Sequence, residues 1–593
     1  MQNLTFVEKI FWAKCGSIVF KKPDIVLTHD NTASIRKTFE KMGGEKVSDP
    51  DQLLVVLDHN SPPTNAKLAT DYQAVRELVK VQKVKKFYDS GSGICHQIMS
   101  YHAKPGMLIV GSDSHTCTAG AFNAMAVGID RTEAAGLWKR EETWFRVPES
   151  IKITLNGKLS KGVYAKDLSL WIIGMIGSAG ANYMSIEYHG SGLKHLTISE
   201  RMTIANLASE MGAKNAVFPP DEVLENYYGE KTKGVWADPG AEYFKEYVIN
   251  LEDLVPLVAV PHHVDNVKTV GEVNGMQVQQ GLIGTCTNGR LEDLRIAANI
   301  LNGKKVADGF QLMIAPASKE IYLEAIDEGI ISSLLKSGAI LLGISCGPCL
   351  GTGQGIPADG TKVISTANRN FLGRMGNKNV DIYLASPATV AYSALNGKIT
   401  DPRDEKKQRG TYPYRKLNTH VNVIARDENR KTASVWDYSD INHLNTDQMF
   451  AGNLTYEVLS SDPEGIRSHL FKGFDDNFAD KLCEGDIIIA GDNFGCGSSR
   501  EHPAVGLAYA GVQAVIVKSV NRIFYRSALN QGLLLIVNRE IVESYRRGDE
   551  IEIDLNIGTI IVDEKQFLIP VLPDKLKQII KCKGLVNWIR SES

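Results

Sequence analysis

Short β-rich runs alternate with helical patterns along most of this 593-residue chain, and this alternation constrains the fold more than any other feature. The runs include LLVVL at 53–57, MLIV at 107–110, KITL at 152–155, AILL at 339–342 and DIIIA at 486–490. Helical patterns lie between them, for example at 71–82 and 291–301, and glycines concentrate after the runs. Alternation over such a length predicts an α/β architecture with largely parallel sheets, whose anion-binding loops follow the strands.

Breaks in the pattern indicate several domains. The clearest break is TDPRDEKKQRGTYPYR at 400–415, which is charged, contains proline and lacks an apolar period, as an exposed linker does. New strand runs begin near residue 148 and after the segment at 260–267. We therefore predict α/β domains at 1–150, 151–270 and 271–400, a linker at 401–428, and a C-terminal α/β domain at 429–593.

Composition argues against several classes of protein. Lys and Arg total 66 against 69 Asp and Glu, so the net charge of −3 favours neither nucleic acid nor an anionic membrane as a partner. Charges interrupt the apolar residues of 1–20, which predicts an amphipathic first helix rather than a signal peptide, and hence a cytoplasmic protein. Nine cysteines are too few and too oddly numbered for a disulfide scaffold, which favours metal-binding or catalytic cysteines.

Three cysteines follow apolar runs and could share one centre. Cys286 lies in GTCTN, whereas Cys346 and Cys349 lie in GISCGPCLG, where a glycine–proline turn can point both sulfurs the same way. Four interpretations stay open at this point: an iron–sulfur cluster with three protein ligands, a redox CxxC pair, structural zinc, or plain buried cysteines. A three-ligand cluster would leave one iron free for Lewis-acid chemistry on a substrate.

Short polar clusters follow other predicted strands, where the active sites of α/β proteins lie. An Asp beside a His can orient the imidazole and raise its basicity, although each cluster alone could simply cap the next helix. The candidate residues are Asp58 with His59, His96, Asp113 with Ser114 and His115, and Glu187.

Two further segments predict binding of an anion. Arg369 and Arg374 lie in NRNFLGR after a β-rich run, and their guanidinium groups match carboxylates in a bidentate manner. The loop GDNFGCGSSREH at 491–502 can form a nest of backbone amides before a helix. A serine in that nest could act as a base beside Arg500, and the phosphate-loop pattern is absent.

Together these segments resemble the aconitase superfamily, most closely the branch of 3-isopropylmalate dehydratase and homoaconitase. The resemblance covers essentially the whole chain, with large-subunit-like and small-subunit-like parts fused. The motifs that carry it are GSDSHT, GTCTNG, SCGPC, NRNFLGR and GSSREH. It implies three α/β domains around an iron–sulfur cluster and a C-terminal swivelling α/β domain.

The resemblance also implies the role of each candidate residue. Cys286, Cys346 and Cys349 would hold a [4Fe–4S] cluster, and Ser498, assisted by Ser499, would be the base. The implied carboxylate-binding residues are Arg369, Arg374 and Arg500. Those implied around the cluster and the leaving water are Asp58, His59, His96, Asp113, His115, Glu187 and Asn368. Ser114 and Asn368 are implied to bind the substrate, and Asp447 of the C-terminal domain is implied to be catalytic.

The implied activity is that of a hydro-lyase that isomerises a hydroxy di- or tricarboxylic acid through an unsaturated intermediate. The loop 449–461 after Asp447 carries Leu454, Tyr456 and Val458 and no arginine before Arg467, which favours an alkylmalate over citrate or homocitrate. A cluster-sensing binding protein without catalysis and a zinc-binding structural protein are the alternatives of other classes. One departure from the family pattern is Glu141, where a glycine is expected.

Overall fold

The computed structural model describes residues 3–403, 434–451, 454, 458, 460, 462–497, 500–555, 557–569 and 572–592. Its larger sheets are wholly or mainly parallel, with helices between successive strands, which confirms the predicted α/β class. Within the described part of the chain, no helix combines the length and the apolar character that crossing a membrane requires.

The first sheet brings three polar strand ends side by side. Its parallel strands lie in the order Lys86–Tyr88, Leu53–Val56, Ile25–Thr28, Leu108–Gly111 and Met125–Gly128. Parallel strands end at one edge of a sheet, so the residues that follow the three middle strands meet there. The helices of this part are Phe6–Phe11, Thr32–Lys41, Ala66–Gln82, Cys95–Ser100 and Arg131–Arg140, with 3₁₀ helices at Pro50–Gln52 and Ser114–Phe122.

The N-terminal segment contains less helix than its amphipathic pattern predicts. The helix Phe6–Phe11 is capped by Thr5 and ends at Trp12, whose φ of 52° is left-handed. Ile18–Lys21 then forms a strand that pairs antiparallel with Thr143–Arg146. Strand pairing therefore replaces helix in the second half of the segment.

The second sheet lies next to the first and is built from parallel strands. Their order is Asn215–Val217, Ser185–His189, Ser150–Asn156 and Lys245–Asn250. Gly120 of the first part packs so closely on this sheet that a Cβ there would lie 1.8 Å from the carbonyl oxygen of Ala216. The helices of this part are Ala165–Ile176, Ile198–Leu207 and Glu222–Tyr228, with 3₁₀ helices at Ser191–His195, Ala208–Met211 and Leu251–Asp253.

The third sheet carries the cysteine segments at one edge. Its order is Val267–Thr269, Leu257–Ala259, Asp381–Leu384, Lys362–Ser365, Gln280–Gly284, Gln311–Ala315 and Ile340–Leu341, and only the first two strands run antiparallel to their neighbours. Those two strands precede residue 271, the predicted start of the third domain, and the domain boundaries stay predictions. The helices are Val270–Val273, Thr285–Asn288, Leu291–Leu301, Lys319–Asp327, Ile330–Lys336 and Pro387–Asn396, with a 3₁₀ helix at Gly347–Leu350.

The C-terminal part contains two further sheets. A parallel sheet has the order Val435–Tyr438, Ile487–Ala490, Ala514–Val517 and Leu535–Val537, and an antiparallel one has the order Ile551–Asp554, Thr559–Val562 and Lys565–Leu568. The helices are Thr446–Met449, Pro463–Arg467, Phe478–Lys481, His502–Tyr509, Arg522–Asn530, Arg539–Ser544, Asp574–Lys581 and Leu585–Ser591.

The helix Arg522–Asn530 packs the C-terminal part against the polar edge of the first sheet. Arg522 is buried, and its Nη2 donates to the carbonyl of Ser114 at 2.9 Å and to Ser209 Oγ at 3.2 Å. The C-terminal part therefore contacts the segment that carries three candidate site residues.

Candidate active site

Charged hydrogen bonds join the polar strand ends of the first sheet. His59 Nδ1 lies 2.7 Å from Asp58 Oδ1, and His59 Nε2 lies 3.6 Å from Asp113 Oδ2. Asp113 Oδ1 lies 2.7 Å from His96 Nε2 and accepts a hydrogen bond of 2.7 Å from the backbone N–H of His115. The structure thus brings together five residues that the sequence selects as candidates.

This arrangement favours a protonated His59 beside an ionised Asp113. Burial alone would lower the pKa of His59, but the charges and hydrogen bonds of Asp58 and Asp113 outweigh it and hold that pKa well above its ordinary value. Burial likewise opposes ionisation of Asp113, yet hydrogen bonds from His115, His59 and His96 hold its pKa well below the usual range. His59 can therefore hold a proton at Nε2 next to a carboxylate.

Two residues behind this pair escape the sequence analysis. The Asp30 carboxylate accepts backbone N–H groups of Asp58 at 2.9 Å, His59 at 3.0 Å and Asn60 at 2.8 Å, which fixes the turn after the strand. The His29 ring stacks on His59 with centroids 3.9 Å apart, and burial lowers the pKa of His29 to about 3. One sequence feature marks these two residues: His29 and Asp30 form a polar pair directly after a buried strand, as Asp58 and His59 do shortly after theirs.

Arg369 is held at the same edge by a glutamate that the sequence analysis also misses. Arg369 Nε lies 3.0 Å from both carboxylate oxygens of Glu210, and its Nη2 donates to Ser114 Oγ at 3.0 Å. Glu210 also lies 2.8 Å from His115 Nε2. Burial opposes ionisation of Glu210, but the Arg369 charge and then His115 lower its pKa to about 2. Glu210 therefore orients an arginine and a histidine as a buried anion.

The three predicted cysteines are buried and adjoin this cluster. Burial and, to a lesser extent, the charge of Cys349 raise the pKa of the Cys286 thiol to about 11. Burial also raises the pKa of Cys346, with added effects from Asp58 and then Cys286. The thiols thus lie near one another and near the histidine–aspartate cluster. Such thiols give up their protons only to a cation that takes their place.

Side-chain donors point at the sulfur atoms. Asn206 Nδ2 lies 3.4 Å and Asn368 Nδ2 lies 3.6 Å from Cys286 Sγ, and Arg374 Nη2 lies 3.7 Å from Cys349 Sγ. Arg374 Nε is buried without a hydrogen-bond partner among the described residues. Asn368 and Arg374 are among the residues predicted from the sequence, whereas Asn206 is not.

The spacing of the cysteines is wide. Among the described residues, two groups of His, Cys, Asp or Glu bring three or more ligand atoms within 4.8 Å of one another, and neither group contains these cysteines. Sulfurs around one zinc ion lie about 3.8 Å apart, because Zn–S bonds of about 2.3 Å point to the corners of a tetrahedron. At least two of the three sulfurs therefore lie farther apart than sulfurs that share one zinc ion.

Glu187 does not join this site. It lies in the middle of the strand Ser185–His189 rather than beyond its carboxyl end, and its side chain is completely buried. Its Oε1 accepts the backbone N–H of Phe6 at 2.9 Å and its Oε2 accepts the hydroxyl of Tyr243 at 3.0 Å. Glu187 instead ties the N-terminal helix to the second sheet.

Two candidate residues of the C-terminal part form an ion pair. Arg500 Nη1 lies 2.7 Å from Asp447 Oδ1 and 3.3 Å from the carbonyl of Phe450, so the structure pairs two predicted site residues. Burial raises the pKa of Cys496 in the same loop, and the Arg369 charge opposes that rise, so the loop lies within the electrostatic reach of Arg369. Ser498 and Ser499 lie outside the described residues.

Comparison with known proteins identifies the same family over nearly the whole chain. A model of the aconitase family (aconitate hydratase) matches residues 6–397, and a model of the aconitase C-terminal domain matches residues 398–540. A 3-isopropylmalate dehydratase large subunit 1 of Methanopyrus kandleri is 44% identical over 398 residues, which are 66% of this chain and 95% of that protein. A probable methanogen homoaconitase large subunit of Methanosarcina mazei is 48% identical over 387 residues, 64% of this chain and 98% of that protein.

A solved structure also matches part of the chain. The 3-isopropylmalate dehydratase structure from Methanocaldococcus jannaschii is 37% identical, covers 26% of this chain and 89% of that one, and has a TM-score of 0.23. The two family models together span residues 6–540 and include every motif of the site described above. The predicted relationship is therefore confirmed: the chain belongs to the aconitase family and is a hydro-lyase.

Proposed function

We propose that this hydro-lyase dehydrates and rehydrates an alkyl-substituted malate such as 2-isopropylmalate, with an iron–sulfur cluster held by Cys286, Cys346 and Cys349. The observation that carries the proposal is the proximity of three buried thiols to the Asp58–His59 pair. A cation at the thiols and a proton on the imidazole are the two groups that loss of a hydroxyl as water requires.

The donor set fits a [4Fe–4S] cluster better than the other interpretations of the cysteines. Three thiolates bind three irons, and N–H groups directed at the sulfurs, such as those of Asn206 and Asn368, are the hydrogen bonds that tune such clusters. The three sulfurs do not all lie within 4.8 Å of one another, as the ligands of one zinc ion would, and all three cysteines are free rather than joined in a disulfide. When bound, the cluster supplies Lewis-acid chemistry at an iron without a protein ligand.

Two arginines from one loop are the proposed carboxylate ligands. The Nε of Arg374 is a buried donor without a partner among the described residues, which a carboxylate oxygen would satisfy. Arg369 is already oriented by Glu210 and Ser114, so it meets an anion at little cost in side-chain entropy. Together they stabilise the negative charge that develops on a carboxylate when its α-proton is removed.

The proton is handled from two sides in this proposal. His59, oriented through Nδ1 by Asp58, gives the proton on Nε2 to the leaving hydroxyl, which departs as water. Ser498 takes the α-proton, Ser499 assists it, and Arg500, paired with Asp447, binds a second carboxylate; these roles follow from the family motif GSSREH. Water then adds to the unsaturated acid at the neighbouring carbon, which gives the isomer.

The alkylmalate assignment depends on the loop after Asp447. Leu454 and Val458 pack against the apolar core, and Thr455 and Tyr456 lie outside the described residues. Arg467, the next arginine in the sequence, donates to the carbonyl of Leu482 at 3.2 Å within the C-terminal part. A third carboxylate in this loop would lack a cation, which costs several kcal/mol in a buried site. The dehydratase relative supports an alkyl group.

Homoaconitase activity is the second candidate. The relative named as a homoaconitase large subunit shares 48% identity with this chain, against 44% for the dehydratase relative. A direct comparison of homocitrate with alkylmalates separates the two candidates.

The test is an anaerobic assay of the reconstituted protein. Formation of the unsaturated acid is followed by its ultraviolet absorbance with 2-isopropylmalate, 2,3-dimethylmalate, citrate and homocitrate. We expect the highest kcat/KM with an alkylmalate. Higher kcat/KM with homocitrate or citrate contradicts the alkylmalate assignment and leaves the hydro-lyase mechanism intact. Absence of iron and sulfide from active protein contradicts the cluster.

A further inference from the structure

Lys166 is a completely buried ammonium group beside the cysteine site. It is the second residue of the helix Ala165–Ile176, and its Nζ donates to the carbonyls of Thr366 at 2.9 Å and Ala367 at 2.6 Å. Both acceptors are neutral. Within the described part of the chain, Lys166 has no carboxylate at ion-pair distance, unlike buried Arg369 and Arg526.

A buried cation without an anion is costly, because neutral carbonyls replace only part of its hydration. Burial lowers the pKa of Lys166 to about 7, and the charges that oppose this effect come first from Cys349 and Cys286 and then from Glu210. Geometry places this helix at the cysteines. Thr366 Oγ1 accepts the N–H of Gly284, two residues before Cys286, at 3.0 Å, and Leu170, one turn along the helix from Lys166, lies in the same apolar cluster as Cys349. Negative charge on these sulfurs offsets the cost of the buried ammonium group.

We propose that Lys166 is the internal counter-cation of the cysteine site, and that its positive charge stabilises the ionised thiolates when the cluster is bound. The inference rests on the cluster of the proposed function and adds a positioning residue from a different part of the chain. Lys166 lies on the second α/β unit, whereas all three cysteines follow strands of the third sheet.

The two carbonyls that Lys166 binds give it a second effect on the site. Thr366 and Ala367 directly precede Asn368, whose amide lies 3.6 Å from Cys286 Sγ, and Arg369, which pairs with Glu210. The ammonium thus fixes the backbone from which one sulfur ligand and one arginine project. The effects of the charge and of the hydrogen bonds of Lys166 can be separated by substitution. Glutamine at position 166 keeps a hydrogen-bond donor but removes the positive charge.

The experiment compares Lys166→Gln and Lys166→Met with the full-length wild-type chain. Each protein is reconstituted anaerobically with iron and sulfide, and iron and sulfide per chain and the rate of iron loss to a chelator are measured. Both variants should lose iron faster than wild type, by on the order of ten-fold, because each lacks the charge. The cluster-free variants should unfold at the same denaturant concentration as cluster-free wild type or at a higher one, since an uncompensated buried charge is gone.

Lys214→Met is the matched control. Lys214 is equally buried, burial likewise lowers its pKa, and its Nζ lies 3.1 Å from the hydroxyl of Tyr183, away from the cysteines. Its iron loss should equal that of wild type.

Three results overturn the inference about Lys166 but leave the proposed function intact. Wild-type rates of iron loss in both Lys166 variants exclude a role for the charge. A defect in Lys166→Met that Lys166→Gln rescues assigns the effect to hydrogen bonding alone. A large loss of stability in both cluster-free variants assigns it to folding. Failure of the wild-type chain itself to take up iron and sulfide overturns the proposed function together with the inference, so the two failures are distinguishable.

Discussion

Arg526 of the C-terminal part and Glu133 of the N-terminal part form an ion pair in which each side chain is 1% exposed. Arg526 Nε donates to Glu133 Oε2 at 2.9 Å, and the guanidinium also binds the carbonyl of Trp144 at 2.6 Å and lies 4.0 Å from its ring centroid. Buried partners of this kind stabilise a contact only while both are present, since either one alone is an uncompensated charge.

Removal of one partner should therefore destabilise the contact between the two parts of the molecule. We expect Arg526→Ala to lower the free energy of unfolding by about 3–5 kcal/mol, measured by denaturant unfolding of the full chain. Arg539→Ala is the control, because Arg539 is 53% exposed and pairs with Asp492 at the surface. Its effect should stay below about 1 kcal/mol. Similar losses in the two variants would contradict a special role for the buried pair.

Glu141 provides a second, local test of stability. The residue ends the helix Arg131–Arg140 with a φ of 64°, a left-handed conformation that glycine adopts without strain. Its carboxylate lies 2.6 Å from Lys22 Nζ in an exposed pair, which contributes little. Glu141→Gly should therefore raise the free energy of unfolding by about 0.5–1 kcal/mol. Glu142→Gly, at a neighbour without positive φ, should not; a gain there would assign the effect to something other than the helix end.

Sequence patterns locate candidate residues where these follow strands in order. Asp58 and Asp113 come shortly after buried strands of the first sheet, and Cys286 comes shortly after a buried strand of the third. The carboxyl edges of these parallel strands bring the neighbouring candidates together. The turn at Cys286 even depends on the preceding Gly284, whose φ is 146° and where a Cβ would lie 2.2 Å from the carbonyl oxygen of Ala315. A polar residue shortly after a predicted strand is therefore enough to identify these positions from the sequence.

Contacts between sheets are what the sequence patterns do not give. Glu187 lies within a strand and Glu210 lies in the 3₁₀ helix Ala208–Met211, and only tertiary packing decides which of the two carboxylates meets His115 and Arg369. Lys166 is another case, since its partners lie 200 residues away on a different sheet. The sequence around Glu187, Glu210 and Lys166 does not indicate which of them lies at the site.

The two glutamates can be separated by matched substitutions. Glu210→Gln should lower kcat/KM by at least about 100-fold, because Arg369 and His115 both lose the charge that orients them. Glu187→Gln should leave kcat/KM within a few-fold of wild type but lower the free energy of unfolding by about 1–3 kcal/mol through its bond to Phe6. Kinetics and denaturant unfolding on the same preparations measure both. The reverse pattern would restore Glu187 as the site residue.

The raised pKa of His59 predicts a definite pH dependence. A group whose pKa is higher in the folded protein contributes stability below its unfolded value of 6.5, and this contribution is lost as the pH rises through the folded value. The free-energy difference between wild type and His59→Gln should therefore be largest below pH 6.5 and shrink above it. Activity should also fall at alkaline pH as His59 loses its proton.

Asp58→Asn tests the origin of this shift. Asp58 is the main group that raises the pKa of His59 against the effect of burial, so its removal should move the alkaline limb of the kcat/KM profile to lower pH. Asp51→Asn at the protein surface should leave the limb in place. An alkaline limb that does not move in Asp58→Asn would show that a different group loses the proton.

The last prediction concerns the cysteines themselves. Cys286 and Cys117 are both buried and burial raises the pKa of both thiols, to about 11 and about 12. Cys286 faces the amides of Asn206 and Asn368, whereas Cys117 donates to the backbone carbonyls of Ser114 and Asn206. A thiol that donates to carbonyl groups is packed as a small neutral side chain, whereas N–H donors directed at a sulfur stabilise its anion.

After anaerobic reconstitution, Cys286→Ser should therefore retain less than about a third of the wild-type iron, because one of the three ligands is lost. Cys117→Ser should retain all of it. Equal iron content in the two variants would place the cluster elsewhere than on Cys286.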